Sequence, residues 1–183
     1  SWNIPTDAVG FCIQASETPT FDVVVSTSGC TPYNYHNFIA LDDGQLYSYR
    51  VQCRDDLWNV SGFSALEFST QDDSPPETDA GPLSTYYNTL SFSVPSTEYD
   101  ATSGTAHVEL YYQKNGGGYV QYGTTFTTSP IAFLAPGEGT YDFYTIGTDN
   151  VGNVEPAPGS ADCSTEVDLK PPAPPVNLVA LPG

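Results

Sequence analysis

Apolar and polar residues alternate in short runs along this chain, and turn-forming residues bound each run. Examples are residues 11–14, 21–25, 46–53, 106–112 and 141–146. A period of two places successive side chains on opposite faces of a strand. No stretch of about a dozen residues keeps the 3.6-residue apolar period of a helix without interruption. The pattern predicts an all-β protein built of Greek-key β-sandwiches.

Two polar, proline-rich segments interrupt these runs. The first reads Gln-Asp-Asp-Ser-Pro-Pro-Glu from residue 71, and the second reads Val-Asp-Leu-Lys-Pro-Pro-Ala-Pro-Pro from residue 167. Such segments cannot continue a sheet, so they mark linkers in a tandem array. The predicted divisions are a first domain at 1–70, a linker at 71–79, a second domain at 74–168, and a tail at 169–183.

Charge and cysteine content narrow the function classes. Twenty-two acidic and four basic residues give a net charge of −18, which disfavours nucleic acid and anionic membranes as partners. No run reaches the roughly 20 apolar residues of a membrane span. Four cysteines without Cys-x-x-Cys spacing favour structural disulfides over zinc or redox sites. Without an initiator Met or a signal peptide, the chain is expected to be a mature or excised piece of a secreted protein.

The first segment carries Trp2, Gly10-Phe-Cys-Ile and the run Leu41-Asp-Asp-Gly-Gln-Leu-Tyr-Ser-Tyr-Arg-Val-Gln-Cys. Through these residues it resembles a fibronectin type III domain lacking its own first strand. The resemblance implies that Tyr47 forms the tyrosine corner and that Tyr49, Val51 and Cys53 point into the core.

The second segment is similar to the immunoglobulin-like repeats of large bacterial extracellular proteins. The similarity rests on residues 139–155 and on 103–112 followed by Asn-Gly-Gly-Gly. Such repeats serve as spacers, stalks or adhesive modules, and the resemblance implies no catalytic activity.

The first strand of a fibronectin-type domain normally reads Pro-x-x-Pro-x-x-Leu-x-Ala-x-x-Gly, and here that text lies at the C-terminus. Val176, Leu178 and Ala180 alternate as one apolar face. We expect them to fill an acceptor groove beside Trp2 and Ile4 in a neighbouring copy. Two alternatives remain: one period of a longer covalent array, or a fragment cut within an array.

In this topology Cys12, Cys30 and Cys53 lie at the same end of the first domain. Cys53 points inward by its spacing from Tyr47, so we predict a Cys30–Cys53 bridge. Cys12 would then remain for Cys163 of another copy, locking a filament covalently. The alternative is that Cys163 and one other cysteine are free, buried thiols.

Oxygen-bearing side chains concentrate near the predicted domain junction, where they could coordinate Ca²⁺. Ordinary solvated turns are the alternative interpretation, and no other cofactor is expected. The candidate ligands are Asp72, Asp73, Glu98, Asp100, Asp149, Asn150, Asn153 and Glu155.

Neither His36 nor His107 accompanies a recognisable catalytic motif, so we expect no enzyme. Trp58 is predicted to be an exposed aromatic contact residue. Tyr111, Tyr119 and Tyr122 could form a sugar-stacking strip, or they could simply occupy the outer face of strands.

The sequence therefore predicts a structural subunit or repeat of an extracellular fibre or surface appendage. Its partners would be further copies of itself, joined head to tail through the strand at 174–182. The alternative is a non-catalytic binding or spacer region of a secreted adhesin or polysaccharide-degrading enzyme.

Overall fold

A computed structural model describes residues 5–174 and residue 176. Within these residues the protein is all-β, with thirteen strands, no helix and several antiparallel sheets, an arrangement consistent with β-sandwiches. The chain divides into two compact units, Ser1–Ser74 and Pro75–Gly183. The division falls inside the predicted linker 71–79, and the first strand of the second unit begins within that linker, at Glu77.

The first unit forms one antiparallel sheet in its described part. Its strands are β1 (Gly10–Ser16), β2 (Ser26–Thr31), β3 (Leu46–Arg54) and β4 (Glu67–Thr70). Their order across the sheet is β2-β1-β3-β4. The central pair, β1 and β3, is in unbroken register from Gly10↔Arg54 to Ser16↔Ser48.

One face of this sheet is apolar. Phe11, Ile13 and Val51 form its buried cluster, because alternate residues of paired strands share a face. Tyr47 is 2% exposed, and the Asp42 backbone N–H donates to its hydroxyl oxygen at 2.9 Å. The buried ring therefore ties the turn at Asp42 to β3, and the tyrosine-corner assignment itself stays a prediction.

The predicted strand at residues 21–25 is wrong, because β2 begins only at Ser26. Phe21 adopts a left-handed backbone with φ of 56°, and its N–H donates to the Thr18 carbonyl in a turn. A left-handed residue breaks the extended backbone that a ladder needs. The Phe21 ring is nevertheless buried, with the Arg50 guanidinium 3.9 Å from its centroid.

The second unit contains the remaining nine strands. A sheet of five has the order β10-β9-β12-β13-β6, and two further pairs are β11-β7 and β5-β8. All pairs are antiparallel except β13 with β6. The strands are β5 (Glu77–Ala80), β6 (Tyr86–Tyr87), β7 (Ser91–Val94), β8 (Ser96–Tyr99), β9 (Thr105–Lys114), β10 (Val120–Phe126), β11 (Ile131–Leu134), β12 (Gly139–Asp149) and β13 (Cys163–Val167).

Aromatic rings fill the core of the second unit. Phe133 of β11 lies edge-on to Phe143 of β12, with centroids 4.9 Å apart, and Phe92 of β7 contacts both rings. Edge-to-face contacts at this distance are favourable beyond the apolar area that they bury. The β7–β11 pair therefore covers the apolar face of the β9–β12 sheet, as the second layer of a sandwich.

The turn that follows β3 is repeated after β12. In each, an aspartate exchanges hydrogen bonds with the asparagine four residues later: Asp55 with Asn59, and Asp149 with Asn153. The asparagine backbone N–H donates to the carboxylate at 2.8 Å in both loops. The aspartate backbone N–H donates to the asparagine carbonyl at 3.0 Å and 3.1 Å. The two units therefore share one loop architecture at equivalent positions.

Within the described residues, no helix is long and apolar enough to cross a membrane.

Candidate assembly surface of the first unit

The apolar face of the first unit contains a small cavity of about 100 Å³. It is lined by Ile13, Tyr49, Arg50, Val51, Ser64 and Glu67. Ile13 and Val51 are directly paired across β1 and β3, so their side chains project together. In the second unit, the β7–β11 pair covers the matching face. The described residues of the first unit include no strand pair in that position.

The unit also leaves large apolar side chains exposed around its sheet. Val23, Ile39, Leu57, Trp58 and Val60 are each at least 60% exposed. Exposed apolar side chains of this size are candidate contact residues for a partner.

Three residues were predicted to form the apolar face of the assembly strand, and the structure describes one of them, Val176. Val176 lies outside any strand and is 82% exposed, so it is available to a partner. Leu178 and Ala180 lie outside the described residues, as do the predicted acceptor residues Trp2 and Ile4.

A second concavity lies at the end of β3, beside the repeated loop. It has a volume of about 220 Å³ and lies between two segments of the unit. Its lining residues are Pro5, Asp7, Ala8, Cys53, Arg54, Asp55, Asn59, Val60 and Ser61. The Ser61 hydroxyl oxygen accepts a bond from the Cys53 N–H at 2.9 Å, and the Ser61 N–H donates to the Cys53 carbonyl at 2.8 Å. Sequence reasoning missed this cavity, because the loop pattern Asp-x-x-x-Asn gives no sign of empty space beside it.

Comparison with known proteins leaves the chain without a family assignment. No protein-family model matches it, and a search of curated proteins finds no similar sequence. The function must therefore be argued from the surfaces described above.

The cysteine pairing differs from the prediction: Cys12 bonds to Cys30, so the expected Cys30–Cys53 bridge is wrong. Cys12 and Cys30 are opposite each other in the β1–β2 ladder, with Cα atoms 4.2 Å apart. Cys53 faces Phe11 across β1 and β3, and its side chain packs with the apolar cluster on the other side of the sheet. Register and side-chain alternation therefore decide the pairing. The bond also removes Cys12 as the predicted partner of Cys163.

The two free thiols differ in their surroundings. Burial raises the pKa of the Cys53 thiol, and the negative charge of Asp7 adds to the effect. Stronger burial, together with Asp162 and Asp142, raises the pKa of Cys163 to about 12. Because the thiolate is the reactive form, Cys163 is a poor nucleophile at neutral pH.

Of the predicted calcium ligands in the second unit, Asp100 and Asp149 have carboxylate oxygens within 4.8 Å of each other. Both carboxylates also hold loops: Asp100 accepts from the Thr102 and Gly104 N–H groups. Asp149 accepts from three backbone N–H groups, those of residues 151–153. Calcium binding stays a prediction.

Other predicted calcium ligands form hydrogen bonds within their own loops or lie on exposed strands. Asn150 donates to the Ser103 and Gly104 carbonyls, and Asn153 donates to Asp149. Glu98 is exposed on β8. Asp72 and Asp73 belong to the first unit, where the Asp73 N–H donates to Asp43.

Glu155 ties the entering segment of the second unit to β12. Its carboxylate accepts from the Thr78 N–H at 3.0 Å, the Thr78 hydroxyl at 2.5 Å and the Gly147 N–H at 2.9 Å. These bonds occupy both carboxylate oxygens and join β5 to the other sheet.

Trp58 is 73% exposed, as predicted for a contact residue. The Arg54 guanidinium lies 3.9 Å from the centroid of its ring, and Asp55 holds the loop beneath it. Tyr111, Tyr119 and Tyr122, considered either as a sugar-stacking strip or as ordinary outer-face residues, do not share one set of contacts. Tyr122 packs against the core, whereas Tyr111 and Tyr119 both contact Tyr144.

Proposed function

We propose that the protein is a structural subunit or repeat of an extracellular fibre or surface appendage. In this proposal, the apolar run at 174–182 of one copy completes the first unit of another copy, giving head-to-tail assembly. The observation that carries it is the cavity of about 100 Å³ lined by Ile13, Tyr49 and Val51, on a sheet face over which the described residues of the first unit place no second sheet. An exposed strand edge beside such a face is a template for strand addition.

The second unit supports this proposal by showing how a Pro-Pro segment enters a domain of this chain. Pro75-Pro76 leads directly into β5, where Thr78 and Ala80 alternate inward at 6% and 5% exposure. The tail likewise carries prolines, Pro174 and Pro175, directly before an apolar run in which Val176, Leu178 and Ala180 alternate. The proposed finer architecture is a fibronectin type III-like first domain and an immunoglobulin-like second domain, both Greek-key sandwiches.

An extracellular location belongs to the same proposal. The Cys12–Cys30 bond is compatible with an oxidising compartment, where disulfides persist. A net charge of −18 opposes non-specific association between copies, so assembly would depend on the specific strand contact.

The test is the mass of the purified chain by sedimentation velocity, with one variant on each face of the donor strand. We expect oligomers from the unaltered chain and a monomer from Leu178→Asp, since that substitution places a charge on the apolar face of the strand. Val179→Asp, which alters the opposite face, should still assemble. The proposal would be overturned if the unaltered chain sediments as a monodisperse monomer. It would equally be overturned if the Leu178→Asp variant assembles normally.

The exposed Trp58 favours one further function, a non-catalytic binding region. An exposed indole held by Arg54 and the Asp55 loop is preorganised for contact at low entropic cost. Affinity electrophoresis in soluble polysaccharides tests this alternative. Retardation that Trp58→Ala abolishes would support it, and equal mobility of both proteins in the presence and absence of polysaccharide would refute it.

A further inference from the structure

The cavity of about 220 Å³ beside Cys53 has an occupied counterpart in the second unit. The two units pair equivalent residues in the same way at the end of the central strand. Cys53 exchanges two hydrogen bonds with Ser61, and Gly147 exchanges two with Glu155. Isolated bridges also match, with Arg54↔Val60 in one unit and Thr148↔Val154 in the other.

In the second unit, this position is filled by the entering proline. Pro76 is buried, and a β-carbon built on Gly147 would lie 2.8 Å from Pro76 Cγ and 2.6 Å from Thr78 Cγ2. Thr78 is fastened there by its two bonds to Glu155. The proline and the second residue after it therefore pack on the segment equivalent to Cys53 and Ser61.

We infer that the cavity of the first unit is the seat of Pro174 from a second copy. This inference rests on the proposed function and specifies its first contact. Pro76 is followed at the second position by the inward residue Thr78, and Pro174 is followed at the second position by Val176. Aligning Pro174 with Pro76 therefore places Val176 and Leu178 on the face that points into the first unit.

The polar groups around the two proline sites differ, and each set matches the segment that binds there, Thr78 in the second unit and Val176 in the first. Thr78 brings an N–H and a hydroxyl, and it meets the carboxylate of Glu155. Val176 brings no polar side chain, and it would meet Ser61, whose hydroxyl already donates to the Gly62 carbonyl at 2.8 Å. The position of Glu155 is taken here by the uncharged Ser61, and the charged side chains that line the cavity are Asp7, Arg54 and Asp55. Cys53 supplies an apolar wall for the proline ring.

The reactivity of the Cys53 thiol reports whether the cavity is occupied, because a bound proline would cover that thiol. The experiment uses the full chain carrying Leu178→Asp, which removes its own donor face, and Cys163→Ser, which leaves Cys53 as the free thiol. A synthetic peptide of residues 170–183 is added, and the rate of Cys53 alkylation by a small maleimide is measured. At a peptide concentration ten times its Kd, occupancy should slow alkylation about tenfold.

Peptide variants separate this inference from the proposed function. A peptide with Pro174→Asp should bind more weakly and protect Cys53 less, whereas a scrambled peptide should do neither. If the native peptide raises the Tm of the first unit but leaves the alkylation rate unchanged, the proline seat is wrong and strand completion stands. If the native peptide changes neither quantity, strand completion itself is wrong, and the seat with it.

Discussion

The disulfide between Cys12 and Cys30 should hold much of the stability of the first unit. It closes a loop with a sequence separation of 18 residues, and its loss should return that loop entropy to the unfolded chain. Chain-entropy reasoning puts the effect at about 3 kcal/mol for a loop of this length. The unit has few large buried apolar side chains, chiefly Phe11, Ile13, Phe21, Tyr47 and Val51, so the bond should add substantially to its stability.

The assay is urea unfolding followed by tryptophan fluorescence, because Trp2 and Trp58 are the only tryptophans and both belong to the first unit. With an m-value of about 1 kcal/mol per M, removing the bond should lower the urea midpoint by about 3 M. Either TCEP or the double variant Cys12→Ala/Cys30→Ala removes it. Cys53→Ala is the control, since it keeps the bond and should keep the sensitivity to TCEP.

The second unit provides an internal reference in the same experiment. Nine of the thirteen tyrosines belong to this unit, so the main tyrosine transition in near-ultraviolet circular dichroism should keep its midpoint with and without the bond. A shift in the tryptophan transition smaller than about 0.5 M would refute the estimate, since it would mean that the bond constrains little of the unfolded chain.

Three further predictions concern packing and pH. Phe143→Ala should destabilise the second unit by about 3–5 kcal/mol in urea unfolding, because the fully buried ring leaves a cavity among its neighbours. Gly147→Ala should cost about 1–3 kcal/mol by overpacking against β5, whereas Gly159→Ala, with open space around it, should change the midpoint little. Asp55 has a pKa held below 3.8, chiefly by the Asn59 amide, so its stabilising effect is complete above that pH and lost on further acidification. Asp55→Ala should therefore weaken the first unit at neutral pH and flatten its acid unfolding curve below about pH 4, followed by tryptophan fluorescence; an unchanged acid limb would contradict this assignment.

The alternation of apolar and polar residues was sufficient to predict individual strands whose pattern depends only on neighbouring residues. The alternation at 46–53 predicts β3 and the inward Tyr47, because the period of two and the turn before it are properties of adjacent residues. The run at 106–112 predicts β9 in the same way. Residues 21–25 show the limit of such reasoning: the run is apolar enough for a strand, yet a turn at Phe21 places it outside the ladder.

The tertiary structure decided every feature that depends on which strands are neighbours. The pairing of Cys12 with Cys30 follows from the β1–β2 register, and the seat beside Cys53 becomes visible only when the second unit shows Pro76 against Gly147. Both depend on contacts between residues far apart in the chain, whose positions are set by sheet register and packing. The sequence by itself determined the all-β class and strands such as those at 46–53 and 106–112, because alternation acts through adjacent residues.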